Sequence, residues 1–226
     1  MKAVYQITQH ILTPLITPHI LFEDNHLTAA FKKAGQTVQP EPGKPLSLED
    51  EVKHYIKEKY QKPGDVFLGV IHRLDMPVEG IVLFARTSKA LTRMNEQFQK
   101  REVTKMYEAW VEHMPPLESD LITHWLKRDE KRNMTKAFVS EVPGADKAQL
   151  RYTVKSKKGN QTLLRIELLT GRKHQIRAQL SAIGCPIAGD VKYGATQSFA
   201  DQSIKLMAVE LGFLHPVTKE KVLIQV

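Results

Sequence analysis

"VIHRLDMPVEGIVLFA", residues 70–85, joins two unlike halves. The second half continues as "GIVLFAR" (80–86), an unbroken apolar run that predicts a strand covered on both faces. The first half sets His72, Arg73 and Asp75 directly before that strand. A partly buried carboxylate at such an entrance needs a partner to remain ionised. Arg73 is two positions away, and Arg177 lies on the face of a more distant helix that can meet it. An aspartate held by an arginine can serve as a nucleophile or a general base. It can equally be half of a structural ion pair.

Working outward, "ILFEDNHLTAAFKKAG" (20–35) reads as two strands around an Asp24-Asn25 turn, ending at Gly35. Prolines mark 39–45 as a loop. Ser47, with Asp50 three residues later, has the form of a capping box, and Leu48, Val52, Tyr55 and Ile56 share one helical face behind it. Ser88 is expected to cap a second helix with Leu91, Met94 and Phe98 at helical spacing. "KMYEAWVEH" (105–113) alternates, placing Tyr107, Ala109 and Val111 on one face of a strand. Residues 115–148 form a polar stretch without a clear period. "LRYTVKS" and "QTLLRIELL" flank "KKGN", a hairpin signal. "GRKHQIRAQLSAIG" (171–184) predicts a helix with Ile176, Leu180 and Ile183 as its core stripe and Gly184 at its C-terminal end. His174, Arg177 and Ser181 lie on the adjoining face. The tail reads as two strands around a His215-Pro216 turn. Strands and helices are interspersed, yet the hairpins argue against a purely parallel doubly wound sheet. The expected fold class is α+β with a mixed sheet.

Bulk properties narrow the function classes. The net charge of +8 favours a polyanionic partner, nucleic acid before membrane. "KRDEKRNMTK" (127–136) and "KSKKGN" (155–160) are expected to be exposed basic loops able to track phosphates. The single cysteine, Cys185, rules out an internal disulfide and suits a reducing, cytoplasmic setting. It reads as a packed thiol. "MKAVYQITQHILTPLITPHI" lacks the features of a signal peptide, and nowhere does an apolar run reach membrane-spanning length. "HRLD" is shared with the kinase catalytic loop, but no glycine-rich phosphate loop or Asp-Phe-Gly element accompanies it. There is no GxGxxG and no GxSxG, and the nine histidines are scattered without metal-ligand spacing.

Several stretches together resemble one family. "HRLDMPVEGIVLFART" is similar to the HRLDxxTSG signature of the RluA-type pseudouridine synthases. "KMYEAWV" resembles the lysine-x-tyrosine strand of that family, and "TGRKHQIRAQLSAIGCPIAGDVKYGA" resembles its GR-x-HQ-hydrophobic-R helix and the GD-x-x-YG loop after it. "ILFEDNHLTAAFKKAGQTVQP" is similar to its opening strand pair. The likeness runs in order from about residue 20 to 220. It implies a mixed, largely antiparallel sheet with a central cleft flanked by helices and loops. It also implies conversion of selected uridines in ribosomal or transfer RNA to pseudouridine, without metal or organic cofactor. Asp75 maps onto the catalytic aspartate, Tyr107 onto the base-stacking tyrosine and Arg177 onto the arginine that pairs with the aspartate. RNA contacts are expected from His72, Arg73, Arg172, Lys173 and His174, with Lys127, Arg128, Lys131 and Arg132 of the basic stretch. The resemblance further implies one catalytic domain over 1–226, with no separate N-terminal RNA-binding domain, working as a monomer.

The chemistry explains why such residues would be used. Uracil must leave its sugar, turn over and rejoin through carbon 5, so the nucleotide has to be flipped into a pocket. Basic loops on the backbone offset that expense. Tyr107 can stack on the ring, and its hydroxyl is a candidate proton acceptor late in the reaction. Asp75 can attack the anomeric carbon, attack the ring, or remove a sugar proton. Each route needs an ionised carboxylate, which a facing guanidinium favours. The sequence departs from the pattern at Val78-Glu79 (Thr-Ser in the signature), at Lys33 (proline) and at Leu206-Met207-Ala208 (Leu-His-Ala). The Val78-Glu79 change motivates a second reading, a non-catalytic RNA-binding or RNA-folding protein on the same scaffold.

Overall fold

The computed structural model describes residues 17–226. The reading of the N-terminus as free of a signal peptide falls largely on residues 1–16, outside the described residues. Strands β1 (His19–Glu23) and β2 (Leu27–Lys32) form the expected hairpin. Asp24 closes it by accepting from the backbone N–H groups of His26 and Leu27. Helix α1 (Leu48–Lys59) opens with the capping box: the Ser47 hydroxyl accepts from Asp50 N–H, and the Asp50 carboxylate accepts from Ser47 N–H. Strand β3 (Gly69–Val70) pairs with β4 (Glu79–Ala85), which is buried from Gly80 to Ala85. Helix α2 (Ser88–Lys100) is capped by Thr87, not by Ser88 as expected. Thr87 has the extended backbone of a cap and accepts from Ala90 N–H, while Ser88 is already helical.

Strand β5 (Thr104–Val111) turns Tyr107, Ala109 and Val111 inward. The polar stretch that follows is not irregular. It holds β6 (Ser119–Asp129) and β7 (Met134–Phe138), a hairpin whose turn covers only 130–133. The basic segment 127–136 is therefore mostly strand. Its charged side chains occupy the outward positions, while Ile122, His124 and Leu126 alternate inward. Strands β8 (Asp146–Lys158) and β9 (Gln161–Leu168) are joined by Gly159-Asn160. The expected loop 155–160 is thus mainly the end of β8. Helix α3 (Gln175–Ala182) is shorter than 171–184. Residues 171–174 are held as a loop by Gln175, whose side-chain oxygen accepts from Arg172 N–H, and His174 is left-handed at φ 54°. A 3₁₀ turn (Val191–Tyr193), β10 (Leu206–Leu214) and β11 (Lys221–Gln225) complete the described chain.

The strands form one sheet in the order β1-β2-β4-β10-β5-β9-β8-β6-β7, with β3 on β4 and β11 on β10. All pairings between these strands are antiparallel except β4 with β10. That parallel contact is brief, Met207 to Glu79 and Ala208 to Gly80, after which β11 takes over the same edge of β10. Gly80 permits it. Its φ is +123°, and a Cβ there would run into the backbone of Ala208. The continuous apolar run of β4 is explained by two cores. Val82 and Phe84 join Tyr107, α1 and α3 on one face, while Ile81 and Leu83 join α2 on the other. Fully burying such side chains is worth roughly 1.5–3 kcal/mol each. Among the described residues no helix is long and apolar enough to cross a membrane.

Candidate active site

Asp75 sits where the chain turns into β4. Its carbonyl accepts from Val78 N–H, and Leu74 beside it is buried. The next carbonyl, of Met76, accepts from Gly35 N–H and from the Lys32 ammonium. Lys32 is fully buried and also donates to the carbonyls of Lys33 and Gln36. Burial draws its pKa down to about 8, against the pull of Asp75 and Glu79. The aspartate loop is therefore pinned from beneath by one lysine. The side chain of Asp75 keeps 26% of its surface exposed.

Arg177 comes to it from α3. Its Nη1 donates to Asp75 Oδ2 at 3.3 Å. Its Nε and Nη2 donate to both oxygens of Asp190 at 2.7 and 2.8 Å. Burial opposes the guanidinium charge, but Asp190 first and Asp75 second more than offset it, and the pKa is raised. Asp190 is 2% exposed, so this fork is a dry, bidentate ion pair. The face of Arg177 lies 4.8 Å from the Tyr193 ring centre. The two partners of the Asp75 contact are 102 positions apart in sequence.

His174 flanks the pair. Its Nδ1 lies 2.8 Å from the Tyr193 hydroxyl, which itself accepts from Thr135 N–H at 2.8 Å. We assign the phenol proton to Nδ1, so the imidazole carries its own proton on Nε2, 3.7 Å from Asp75. Burial brings the His174 pKa to about 4, with Asp75 pulling the other way. Near neutral pH this contact is therefore not an ion pair. Tyr107 projects from β5 into the same region and is buried. Burial, with Asp75 adding, raises its pKa strongly. A hydroxyl so reluctant to ionise is a weak candidate for the proton acceptor, and Tyr107 offers chiefly its ring.

The expected RNA contacts divide. Arg73 is exposed and, among the described residues, its side chain reaches only Gln39, at 3.4 Å. Arg172 pairs loosely with Asp146, and Lys173 donates to Asn133 at the tip of the β6–β7 hairpin. Lys127, Arg128, Lys131 and Arg132 are exposed on or beside that tip. Thr135 ties the hairpin to the site loop, its hydroxyl donating to the Lys173 carbonyl. His72 and His174 do not belong with them. His72 Nε2 accepts from Leu83 N–H, and its ring stacks on Phe98 at 5.2 Å. Burial, with Lys105 adding, lowers its pKa to about 4, so it presents no positive charge to a phosphate. His174 is likewise turned inward. Lys32, Asp190 and Tyr193 were missed as site residues, although "GDVKY" lies in the motif that follows the arginine helix. Among the described residues no group of three His, Cys, Asp or Glu side chains is placed to hold a metal ion.

Comparison with known proteins places this geometry in context. A family profile described as RNA pseudouridylate synthase matches residues 26–182. A ribosomal large subunit pseudouridine synthase D from Zymomonas mobilis is 32% identical over 213 residues, covering 90% of this chain and 67% of that protein. A Chloroflexus aurantiacus protein, named only as an uncharacterized RNA pseudouridine synthase, is 33% identical over 189 residues, covering 82% and 58%. The chain thus spans about three fifths to two thirds of the length of these relatives. In fold it is similar to human RNA pseudouridylate synthase domain containing 4, with a TM-score of 0.76, 23% identity, and 92% and 87% of the two chains covered.

Proposed function

The chain belongs to the RNA pseudouridylate synthase family, and from that membership we propose that it isomerises uridine to pseudouridine in RNA, with ribosomal RNA as its substrate class. The observation that carries this reading is the Asp75–Arg177 contact: a partly exposed carboxylate, oriented by a guanidinium that a buried aspartate holds still. A flipped uridine placed on Tyr107 would meet Asp75 with its sugar and ring. Asp75 supplies the acid–base or nucleophilic group, Arg177 orients it, and the Tyr107 ring retains the detached uracil. Arg73, Arg172, Lys173 and the β6–β7 tip supply phosphate contacts that offset the expense of unstacking the base.

The test is release of tritium from carbon 5 of uridine in an unmodified large-subunit ribosomal RNA transcript. The wild type is expected to release it, and Asp75→Asn to abolish release while keeping RNA affinity within a few-fold. Tight binding without release from any cellular RNA would replace the enzyme by an RNA-binding protein on this scaffold.

A further inference from the structure

Lys105 stands on the same face of β5 as Tyr107, two residues before it, about 6.6 Å along the strand. That is the scale separating a pyrimidine ring from the phosphate of its own nucleotide. The ammonium lies 3.8 Å from the position a Cβ would take on Gly171, so it borders the loop that leads into α3. It is also close enough to His72, in the Asp75 arm, to depress that ring's pKa. Lys105 therefore sits between the two segments that supply Asp75 and Arg177. Other cations of the expected RNA face are engaged within the protein: Lys127 and Lys173 each donate to an acceptor, and Arg172 has an acid. Burial first and the like charge of Arg101 second lower the Lys105 pKa, and among the described residues no carboxylate forms an ion pair with it. A half-buried cation on the Tyr107 face of β5, beside the loop into α3 and without an ion-pair partner among the described residues, is poised for an anion.

We propose that Lys105 holds a backbone phosphate of the RNA at the nucleotide whose base lies on Tyr107, an inference that rests on the RNA-isomerase reading above. The lysine carries its apolar stem along the sheet and its head at the cleft rim, and one phosphate oxygen supplies the missing acceptor. This makes it a positioning residue for the flipped nucleotide, separate from the exposed cations of the β6–β7 tip.

The experiment compares full-length wild type, Lys105→Met, Lys105→Gln and Lys105→Arg for binding to the same unmodified large-subunit ribosomal RNA transcript over a series of salt concentrations. Loss of one phosphate contact should weaken binding about tenfold at low salt in the Met and Gln variants. It should also flatten the plot of log affinity against log salt by about 0.7–0.9. The Arg variant should keep the wild-type slope. In turnover, the loss should fall on KM, with kcat within about threefold. Neutral methylphosphonate linkages, scanned through a short RNA spanning the modified uridine, should penalise the wild type at one linkage to which the Met and Gln variants are indifferent. An unchanged salt slope in both neutral variants, or loss confined to kcat, would overturn the proposal. Wild type that binds but never isomerises defeats the enzyme reading instead, and the salt slopes still decide Lys105.

Discussion

Asp190 hands both of its carboxylate oxygens to one guanidinium and has almost no contact with solvent. Arg177 is thereby held by three hydrogen bonds, two of them spent on Asp190 and one on Asp75. The longer contact goes to Asp75, the proposed catalytic residue, and this division leaves its side chain partly exposed. Replacing Asp190 by Asn keeps the shape but leaves a buried guanidinium short of charge. Removing one partner of a buried pair costs about 3 kcal/mol. Asp190→Asn is expected to lower unfolding free energy by that amount in a denaturant titration. It should also reduce tritium release by at least tenfold, since Arg177 is no longer fixed toward Asp75. A variant as stable and active as wild type would show that the fork contributes to neither.

At the scale of elements, legibility depended on how local the signal was. The α1 capping box and the β4 apolar run are set by neighbours in sequence, and both stand where the residues placed them. The β6–β7 hairpin was invisible because its outward positions carry lysines and arginines, and composition masked a period of two. The N-terminal bound of α3 depended on Gln175 reaching back to the loop and across to the Gln149 carbonyl, a long-range arrangement no window can register. Motifs pointed to Asp75, Tyr107 and Arg177 as candidates, and the fold brings Asp75 and Arg177 into contact; Lys32 and Asp190 went unnoticed because what they hold, carbonyls and a guanidinium, is brought from elsewhere in the chain. The hairpin now has a defined part to play: it presents Lys127, Arg128, Lys131 and Arg132 while Thr135 and Asn133 tie it to the site loop. Changing all four to Gln should reduce the salt slope of RNA binding by about 3, at 0.7–0.9 for each phosphate contact. Each exposed change should alter stability by no more than about 0.5 kcal/mol. A wild-type slope in the fourfold variant would remove the hairpin from the RNA interface.

Across the whole molecule, the site is assembled from a sheet strand and from a loop, a helix and a 3₁₀ turn packed on one sheet, so acid that loosens the fold also loosens the site. Three histidines in separate regions are buried or half-buried and held below their ordinary pKa: His72 before β4 and His174 before α3, both at about 4, and His124 in β6. Burial is the first cause in each. In the unfolded chain a histidine takes up its proton near pH 6.5. Between that value and 4 the unfolded state therefore binds protons that the folded state refuses. Stability is fully present above about pH 6.5 and is lost as pH falls toward 4, the direction linkage requires for a depressed base. Each such histidine contributes a slope of up to about 1.4 kcal/mol per pH unit, so His72 and His174 together give about 2.7. Urea unfolding from pH 7 to pH 4.5 should show this decline before most carboxylates titrate. His72→Gln, whose amide oxygen can still accept from Leu83 N–H, should flatten it by about half whatever its effect on the midpoint at pH 7. Stability that stays level between pH 6.5 and 5 would mean these rings are protonated in the fold, and the assignment of a neutral His174 beside Asp75 would fall with it.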